Sequence, residues 1–309
     1  MHVAVLDLGT NTFQLLIAEV MNGWVERKHL EEQWVNLADE GIETIGVNAL
    51  QRAALILQEY QKAITQFKCN VNVAIGTAAF RKASNREQLK SLVKQILGVE
   101  VTIISGEDEA RYIYRGVNQA LRATHILRED DLFLVMDIGG GSTEFIIGSI
   151  HEILSKHSFP IGASVMKNKY SRDKELTISE IEQLKFNVIS HLGEVAKLCK
   201  KYQVHAVVGS AGAFDTYTYI LQKGHIALAT PVNILNKENL LTLIHTFYLT
   251  PEDERRKLMG EKGFRAPMIT SAGAITEAVL NACEIDHIYH SAYSAKEGVL
   301  YTLFNSLFS

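Results

Sequence analysis

Short apolar runs alternate along this chain with longer segments in which apolar and polar positions follow a helical period. The short runs have the length and the turn-rich flanks of buried strands. They occupy residues 3–8, 13–20, 71–75, 101–104, 132–138, 144–147, 206–208 and 287–291, with 24–35 as a further candidate. The longer segments place apolar residues three and four positions apart, as amphipathic helices do. They occupy residues 48–67, 85–97, 107–121, 178–202, 237–247, 266–282 and 296–308. The alternation predicts an α/β fold with largely parallel or mixed sheets.

The pattern that opens the chain returns once. The first apolar run ends in Asp7 and enters a turn at Gly9, and 130 positions later another run ends in Asp137 and enters a turn at Gly139. The shared order of strand, aspartate, glycine turn and strand favours duplication over two unrelated hairpins. The polar, charge-rich segment 122–131 is the best candidate for a domain boundary. The predicted domains are 1–124 and 125–296, with a terminal helix at 297–309 packing on the first.

Both turns have the composition of a phosphate-binding loop. Glycine lets backbone N–H groups approach an anion closely, and hydroxyl and amide side chains add further donors. The candidate phosphate-binding residues are Gly9, Thr10, Asn11, Gly139, Gly140, Gly141, Ser142 and Thr143. Asp7 and Asp137 can then bind Mg²⁺, which prefers carboxylates, waters and phosphate oxygens. A third loop, with Gly209, Ser210 and Gly212, is explained equally well by nucleotide or phosphate binding and by a plain strand-to-helix turn.

Three acidic residues, Glu107, Asp108 and Glu109, stand at the start of a predicted helix. From the residues alone, compensation of the helix dipole is the favoured explanation, because acidic side chains are stabilised in a first turn. Ser105 is the expected N-cap of this helix. Arg81 follows a strand and fits two interpretations, a bidentate phosphate clamp or a solvated surface arginine.

Composition and charge narrow the class of protein. The chain has 309 residues, is 47% hydrophobic and 21% charged, and carries a formal net charge of −4. These values argue against a disordered chain and against a dominant nucleic-acid-binding face. The three cysteines form no C-x-x-C motif, and the eleven histidines show no H-x-x-x-H or H-D pair. No signal-peptide pattern is found, and no apolar run reaches the ~18 residues that would span a membrane. A cytoplasmic protein without a membrane or nucleic-acid partner is therefore predicted.

Taken together, the motifs resemble those of the exopolyphosphatase / guanosine pentaphosphate phosphohydrolase family, within the actin-like ATPase and sugar kinase superfamily. The resemblance runs nearly from end to end. It covers residues 7–12, 76–81, 104–111, 136–144 and 209–212. Actins and sugar kinases share the two glycine turns but not the Ser-Gly-Glu-x-Glu-Ala-Arg element at 105–111. The order of the motifs makes the resemblance specific.

The resemblance implies a fold and a set of roles. The fold would be two ribonuclease H-like lobes, with mixed sheets flanked by helices and the active site in the interlobe cleft. Glu109 matches the catalytic glutamate of the family, which favours a general base over a helix-start charge. Asp137 and Glu144 match positions linked to metal and water, and Arg81 matches a residue that holds polyphosphate. With Asp7, the aspartate of the first turn, these acids would bind Mg²⁺. A monovalent cation is a second candidate cofactor, and a homodimer is plausible by resemblance alone.

Two segments depart from the family pattern. The family usually has Arg-Ala-Asp where this chain has Arg265-Ala266-Pro267, and often has Gly-Leu-Arg-Glu-Gly where this chain has residues 294–298, Ser-Ala-Lys-Glu-Gly. The second change keeps the charge at Lys296 but loses the bidentate geometry of arginine. The chain matches only the two-lobe part of longer members, so it is expected to be a short form.

The predicted function is Mg²⁺-dependent hydrolysis of terminal phosphoanhydride bonds of inorganic polyphosphate, with Glu109 as the general base. Guanosine pentaphosphate is the alternative substrate. Two other classes stay open: a kinase of the same superfamily, and a non-catalytic actin-like sensor of a nucleotide or alarmone. The Glu109 element argues against the kinase. The presence of Asp7, Glu109, Asp137 and Glu144 together argues against a sensor that has lost its activity.

Overall fold

The structure is a computed structural model that describes residues 1–21, 24–171, 175–224 and 230–308. Its strands are β1 (His2–Leu8), β2 (Thr12–Met21), β3 (Trp24–Trp34), β4 (Val71–Gly76), β5 (Val101–Ile103), β6 (Phe133–Ile138), β7 (Thr143–Gly148), β8 (Ile153–Phe159), β9 (Ala206–Ser210), β10 (Val232–Leu235) and β11 (His287–Ser291). Its α-helices are α1 (Val47–Gln66), α2 (Ala78–Lys82), α3 (Arg86–Leu97), α4 (Gly106–Thr124), α5 (Ala163–Tyr170), α6 (Ile178–Lys201), α7 (Ala211–Leu221), α8 (Lys237–Leu249), α9 (Glu252–Leu258), α10 (Ala266–Cys283) and α11 (Ala295–Phe308). A 3₁₀ helix spans Gly260–Arg265.

The chain packs as two compact units. Unit 1 comprises Met1–Gly116 and Ala295–Ser309, and unit 2 comprises Val117–Ser294. The division falls inside α4, and this helix continues to Thr124, so that the first residues of the predicted boundary segment 122–131 are helical. Among the described residues, no helix is both long and apolar enough to cross a membrane.

Unit 1 is built on a mixed sheet with the strand order β3-β2-β1-β4-β5. The first three strands pair antiparallel, and β1, β4 and β5 run parallel. Strand β1 is almost continuously apolar because it lies inside the sheet and is covered on both faces. Helix α1 packs its buried face on the sheet, where the Tyr60 hydroxyl donates to the carbonyl of Phe13 at 2.6 Å.

Unit 2 is built on a mixed sheet with the order β10-β11-β9-β6-β7-β8. Strands β6, β7 and β8 pair antiparallel, whereas β6, β9 and β11 run parallel. Helices α6 and α10 pack against each other over a large apolar core that also includes side chains of β6, β7 and β9. Helix α6 begins at a capping box in which Thr177 and Glu180 bond each other's backbone N–H groups.

The two units repeat one design. Each starts with three antiparallel strands and adds parallel strands beside the first of them. The turn after the first strand closes in the same way in both, with Gly9 N donating to Thr12 O and Gly139 N donating to Ser142 O, each at 3.0 Å. The predicted fold class, α/β with two mixed sheets flanked by helices, is confirmed. The shared design fits the predicted duplication, which stays a prediction.

Candidate active site

In unit 1, three parallel strands end at the same sheet edge. Asp7 lies opposite Ile75, and Gly76 lies opposite Ile103. The segments that leave these ends are the first glycine turn, helix α2 with Arg81, and helix α4 with Glu109. Ligands of open α/β sheets bind beyond the carboxyl ends of the strands, so this end of the sheet is where a ligand of unit 1 is expected to bind.

Arg81 and Glu109 form an ion pair at this edge. Arg81 Nη1 lies 2.7 Å from Glu109 Oε2 and 3.0 Å from the carbonyl oxygen of Ile104. The two side chains are 23% and 12% exposed, so water screens the pair only in part. Burial raises the pKa of Glu109 above its ordinary value, although the charge and hydrogen bond of Arg81 act in the opposite direction. The pair therefore holds a carboxylate with increased proton affinity.

The three acids at the start of α4 have different surroundings. Asp108 completes the helix cap, because its backbone N–H donates to the Ser105 hydroxyl at 3.0 Å and this hydroxyl donates to its carboxylate at 2.7 Å. The Asp108 carboxylate also accepts from Arg111 at 3.2 Å. Ser105 is thus the predicted N-cap, and Glu107 is exposed. Dipole compensation fits the first two acids, whereas Glu109 faces Arg81.

The first glycine turn holds a buried hydroxyl group that has no hydrogen-bond partner among the described residues. Thr10 is buried, and its Oγ1 has no hydrogen bond to any described residue. The backbone of the turn is fixed, since Leu37 N donates to Thr10 O at 2.7 Å and Val35 N donates to Asn11 O at 2.9 Å. A buried hydroxyl left unpaired in a fixed turn needs an explanation, and a bound anion or water supplies one.

In unit 2, the second glycine turn is hydrogen-bonded to the N-terminus of helix α5. The N–H groups of Ala163 and Ser164 donate to the carbonyls of Gly139 and Gly140 at 2.9 and 3.1 Å. Gly162 has to be glycine here, because a Cβ would lie 2.4 Å from the Gly140 oxygen. The N-terminus of α5 therefore fixes the backbone of the second glycine turn. Sequence reasoning missed Gly162, since only its distant backbone neighbour explains it.

The two polar residues that follow the second turn differ in their roles. Thr143 is fully buried, and its hydroxyl donates to the carbonyl of Ile161 at 3.0 Å. This bond ties β7 to the segment before α5 and uses the donor that the sequence predicted for phosphate. Ser142 is buried within the turn itself.

Unit 2 also places two carboxylates side by side. Asp137 and Glu144 lie opposite each other on β6 and β7, and both are buried. Asp137 accepts from the Ser210 hydroxyl at 2.6 Å, and Glu144 accepts from the Ser158 hydroxyl at 2.8 Å. In the described residues, no group of three or more His, Cys, Asp or Glu side chains could hold a metal ion. Two carboxylates suit Mg²⁺, which keeps several waters and binds through one or two carboxylates plus phosphate oxygens.

Comparison with known proteins identifies the family of this chain. Residues 17–307 match the model of the Ppx/GppA phosphatase family. The chain belongs to this family. It is therefore an enzyme of the phosphoanhydride hydrolase class, as the sequence predicts.

Three relatives of this Ppx/GppA family member differ in the share of their own length that matches it. A Haemophilus influenzae protein named "Putative exopolyphosphatase" is 27% identical, over 98% of this chain and 91% of its own. A Pseudoalteromonas translucida protein named guanosine-5'-triphosphate,3'-diphosphate pyrophosphatase is 30% identical, over 98% of this chain and 59% of its own. A crystal structure of an exopolyphosphatase from Cytophaga hutchinsonii superposes with a TM-score of 0.91 at 31% identity, covering 99% of this chain and 98% of that one. The chain thus spans about three fifths of the guanosine-nucleotide relative.

The third glycine loop of this Ppx/GppA chain has packing reasons for its composition. A Cβ at Gly209 would lie 2.1 Å from the Phe214 ring, and one at Gly212 would lie 3.0 Å from the Arg265 guanidinium. The Ser210 hydroxyl is taken by Asp137. These contacts fit a strand-to-helix turn, and phosphate binding at this loop stays a prediction.

Beside the third loop lies a polar network that the sequence did not reveal. His290 Nε2 lies 2.8 Å from Asp215 Oδ1, and Arg265 Nη2 lies 3.9 Å from Asp215 Oδ2. Burial alone would raise the pKa of Asp215, but the His290 hydrogen bond and the Arg265 charge hold it below its usual value. Asp215 and His290 are 75 residues apart, so only the fold brings them together. Arg265, two residues before Pro267, thus packs against Gly212 and lies near the Asp215 carboxylate within unit 2.

The second departure from the family pattern lies in unit 1. Lys296 Nζ is 3.3 Å from Glu297, and Arg27 Nη1 is 3.4 Å from the same carboxylate. Glu297 is fully buried, so the two cations compensate a charge that would otherwise be costly. Lys296 therefore belongs to a structural triad that joins α11 to β3.

Proposed function

We propose that this protein is a Mg²⁺-dependent exopolyphosphatase that releases orthophosphate from the end of inorganic polyphosphate. The observation that carries the proposal is the largely buried Glu109 carboxylate, paired with Arg81 where the parallel strands of unit 1 end. Such a group can accept a proton from water, and the neighbouring arginine can bind phosphate oxygens. The proposal also agrees with the names of the relatives that the chain covers over most of their length.

Glu109 is the proposed general base. It would orient a water molecule for in-line attack on the terminal phosphorus and take the proton that the water loses. The new P–O bond forms as the anhydride bond to the rest of the chain breaks, so orthophosphate and a polyphosphate shortened by one unit leave. A raised pKa makes the carboxylate a stronger base, which favours proton transfer near neutral pH. Phosphoryl transfer depends mainly on positioning and on charge stabilisation. The base would position the water, and the phosphate donors would stabilise the charge on the phosphoryl oxygens.

The phosphate donors proposed for the substrate come from the glycine turns and from Arg81. Thr10 is the best supported of them, because its buried hydroxyl has no hydrogen-bond partner in the described part of the chain. Gly140 and Gly141 are buried in the second turn, where backbone N–H groups can contact an anion without a Cβ in the way.

Asp137 and Glu144 are the proposed cation ligands, with Asp7 as a further candidate. When bound, Mg²⁺ would neutralise charge on the phosphoryl oxygens. The side-by-side arrangement of Asp137 and Glu144 supports this role. In unit 1 the position 130 residues before Glu144 is Gln14, so Asp7 has no acidic neighbour on β2. We further expect a cytoplasmic enzyme and, by family resemblance alone, a homodimer.

Phosphate release from polyphosphate, guanosine pentaphosphate and ATP, measured side by side, tests the substrate choice. We expect the fastest release from polyphosphate. A higher kcat/KM for guanosine pentaphosphate would assign the alternative substrate. ATP-dependent labelling of an acceptor hydroxyl would indicate a kinase, and ligand-induced stabilisation without release from any substrate would indicate a sensor.

Replacing Arg81 should shift the acidic limb of the pH–rate profile. Burial raises the pKa of Glu109 and Arg81 partly offsets this effect, so Arg81→Gln leaves the burial effect unopposed. The pKa of Glu109 rises further, the base stays protonated to a higher pH, and the acidic limb of kcat moves upward. Measurement of kcat at saturating substrate from pH 4 to 9 checks the direction.

The control for this shift is Arg111→Gln. Arg111 pairs with Asp108 at 3.2 Å on the exposed side of α4, so its loss should leave the limb in place. A limb that stays unchanged in Arg81→Gln, or moves to lower pH, would contradict the assignment of Glu109 as the titrating base.

A further inference from the structure

Four polar residues lie in register on four neighbouring strands of the unit 2 sheet, and Ser291 of β11 continues the row beyond Ser210. Ser210 lies opposite Asp137, Asp137 lies opposite Glu144, and Glu144 lies opposite Ser158. The row therefore follows adjacent strands β9, β6, β7 and β8 in register. Each outer serine donates its hydroxyl to the carboxylate beside it, at 2.6 Å for Ser210 and 2.8 Å for Ser158. The two acids are thus flanked by hydroxyl donors on both sides.

The corresponding row of unit 1 lacks this arrangement. Its members are Ile75, Asp7, Gln14 and Glu32, in the same order across β4, β1, β2 and β3. An isoleucine stands where unit 2 has Ser210, and a glutamine stands where it has Glu144. The Gln14 amide donates to Glu32 at 3.4 Å. Because both units share this sheet design, the fold alone does not require the serines.

The chemistry of the unit 2 row explains what the serines do. Like charges directly opposite each other on neighbouring strands repel, and here both carboxylates are buried. A hydroxyl bonded to one oxygen of each acid fixes the orientation of that carboxylate and offsets part of the desolvation cost. Groups that hold metal ligands in this way usually raise metal affinity, because the ligands need less reorganisation on binding.

We propose that Ser158 and Ser210 are positioning residues that preset the Asp137–Glu144 pair for a divalent cation. The inference rests on the proposed role of these two acids as cation ligands. It gives Ser210 a role different from the phosphate contact that is one of two interpretations of its loop, and Ser210 is fully buried with its hydroxyl already engaged. Ser158 is exposed on the edge strand β8, where a substitution leaves the core intact.

Titration of the full-length protein with Mn²⁺, with free ion followed by electron paramagnetic resonance, tests this proposal without any turnover. We expect Ser158→Ala and Ser210→Ala each to weaken Mn²⁺ binding by about 10- to 100-fold, as loss of an outer-shell partner does. Ser158→Thr keeps the hydroxyl and should restore the affinity. Ser155→Ala is the matched control, because Ser155 lies on the opposite face of β8 and pairs with His157. A structural role alone would not produce this pattern.

Glu144→Gln separates failure of this proposal from failure of the proposed function. One outcome is that Glu144→Gln abolishes Mn²⁺ binding while both serine-to-alanine variants bind within about twofold of the unmodified protein. In that case the positioning role of Ser158 and Ser210 is wrong, and the assignment of Glu144 as a cation ligand is retained. If Glu144→Gln binds Mn²⁺ normally, the cation assignment itself is wrong. Should Ser210→Ala fail to fold, the edge-strand pair Ser158→Ala and Ser158→Thr still decides the outcome.

Discussion

Glu109→Gln is expected to lower kcat for phosphate release by about 10²- to 10⁴-fold, the usual cost of losing a general base. Glutamine has nearly the same shape and can still accept a hydrogen bond from Arg81, so the fold and the KM should change little. The amide cannot take a proton from water, which is the step that the carboxylate is proposed to perform. Initial rates with polyphosphate, together with circular dichroism of the variant, measure both quantities.

Asp108→Asn is the matched control for this loss. Asp108 precedes Glu109 on α4, but its carboxylate bonds Ser105 and Arg111 instead of Arg81. We expect its kcat to stay within a few-fold of the unmodified enzyme. Equal losses in the two variants would mean that the charge at the helix start matters rather than the Glu109 carboxylate. Retained turnover in Glu109→Gln would contradict the assignment of Glu109 as the general base.

Gly298→Ala is expected to destabilise unit 1 by about 3 kcal/mol, the upper end of the usual cost of overpacking. A Cβ at Gly298 would lie 1.8 Å from the carbonyl oxygen of Tyr112, where α11 approaches α4 within this unit. The obstacle is backbone, so no rotamer change can relieve it. The helices would have to separate, which would also strain the bond from Arg115 to Thr302 at 2.7 Å.

Gly193→Ala provides the control for the Gly298 variant. Gly193 lies in helix α6 on an exposed face, and a Cβ there would meet no atom within 4 Å. The same substitution should therefore stabilise the protein by about 0.5–1 kcal/mol, because alanine is the better helix former. Thermal unfolding of both variants should move the midpoint in opposite directions. A Gly298→Ala midpoint at or above that of the unmodified protein would contradict the close approach of α11 and α4.

The sequence predicts the fold well where elements are long or repeated. Helices such as α6 and α10 show a full amphipathic or apolar period, and the aspartate–glycine turn reveals the duplication. Short elements are harder, and the pattern gave no sign of α2, with five residues, or of β10, with four. Too few positions exist in such elements for a period to appear.

Prediction of the candidate site is limited by pairing between distant residues. Arg81 and Glu109 are 28 positions apart, and residue types alone favoured a helix-dipole role for all three acids of α4. The family resemblance singled out Glu109, and the fold brings Arg81 against it. Ser158 and Gly162 carry no motif. Each acquires its role from one neighbour, the Glu144 carboxylate and the Gly140 carbonyl, so neither could be found without coordinates.

Orthophosphate release from polyphosphate by the full-length protein with Mg²⁺, with and without a chelator, tests the proposed activity itself. We expect steady release of orthophosphate, stepwise shortening of the chain from its end, loss of release with chelator, and recovery when Mg²⁺ is restored. Absence of orthophosphate release from polyphosphate and from guanosine pentaphosphate in the presence of Mg²⁺ would contradict the proposed activity.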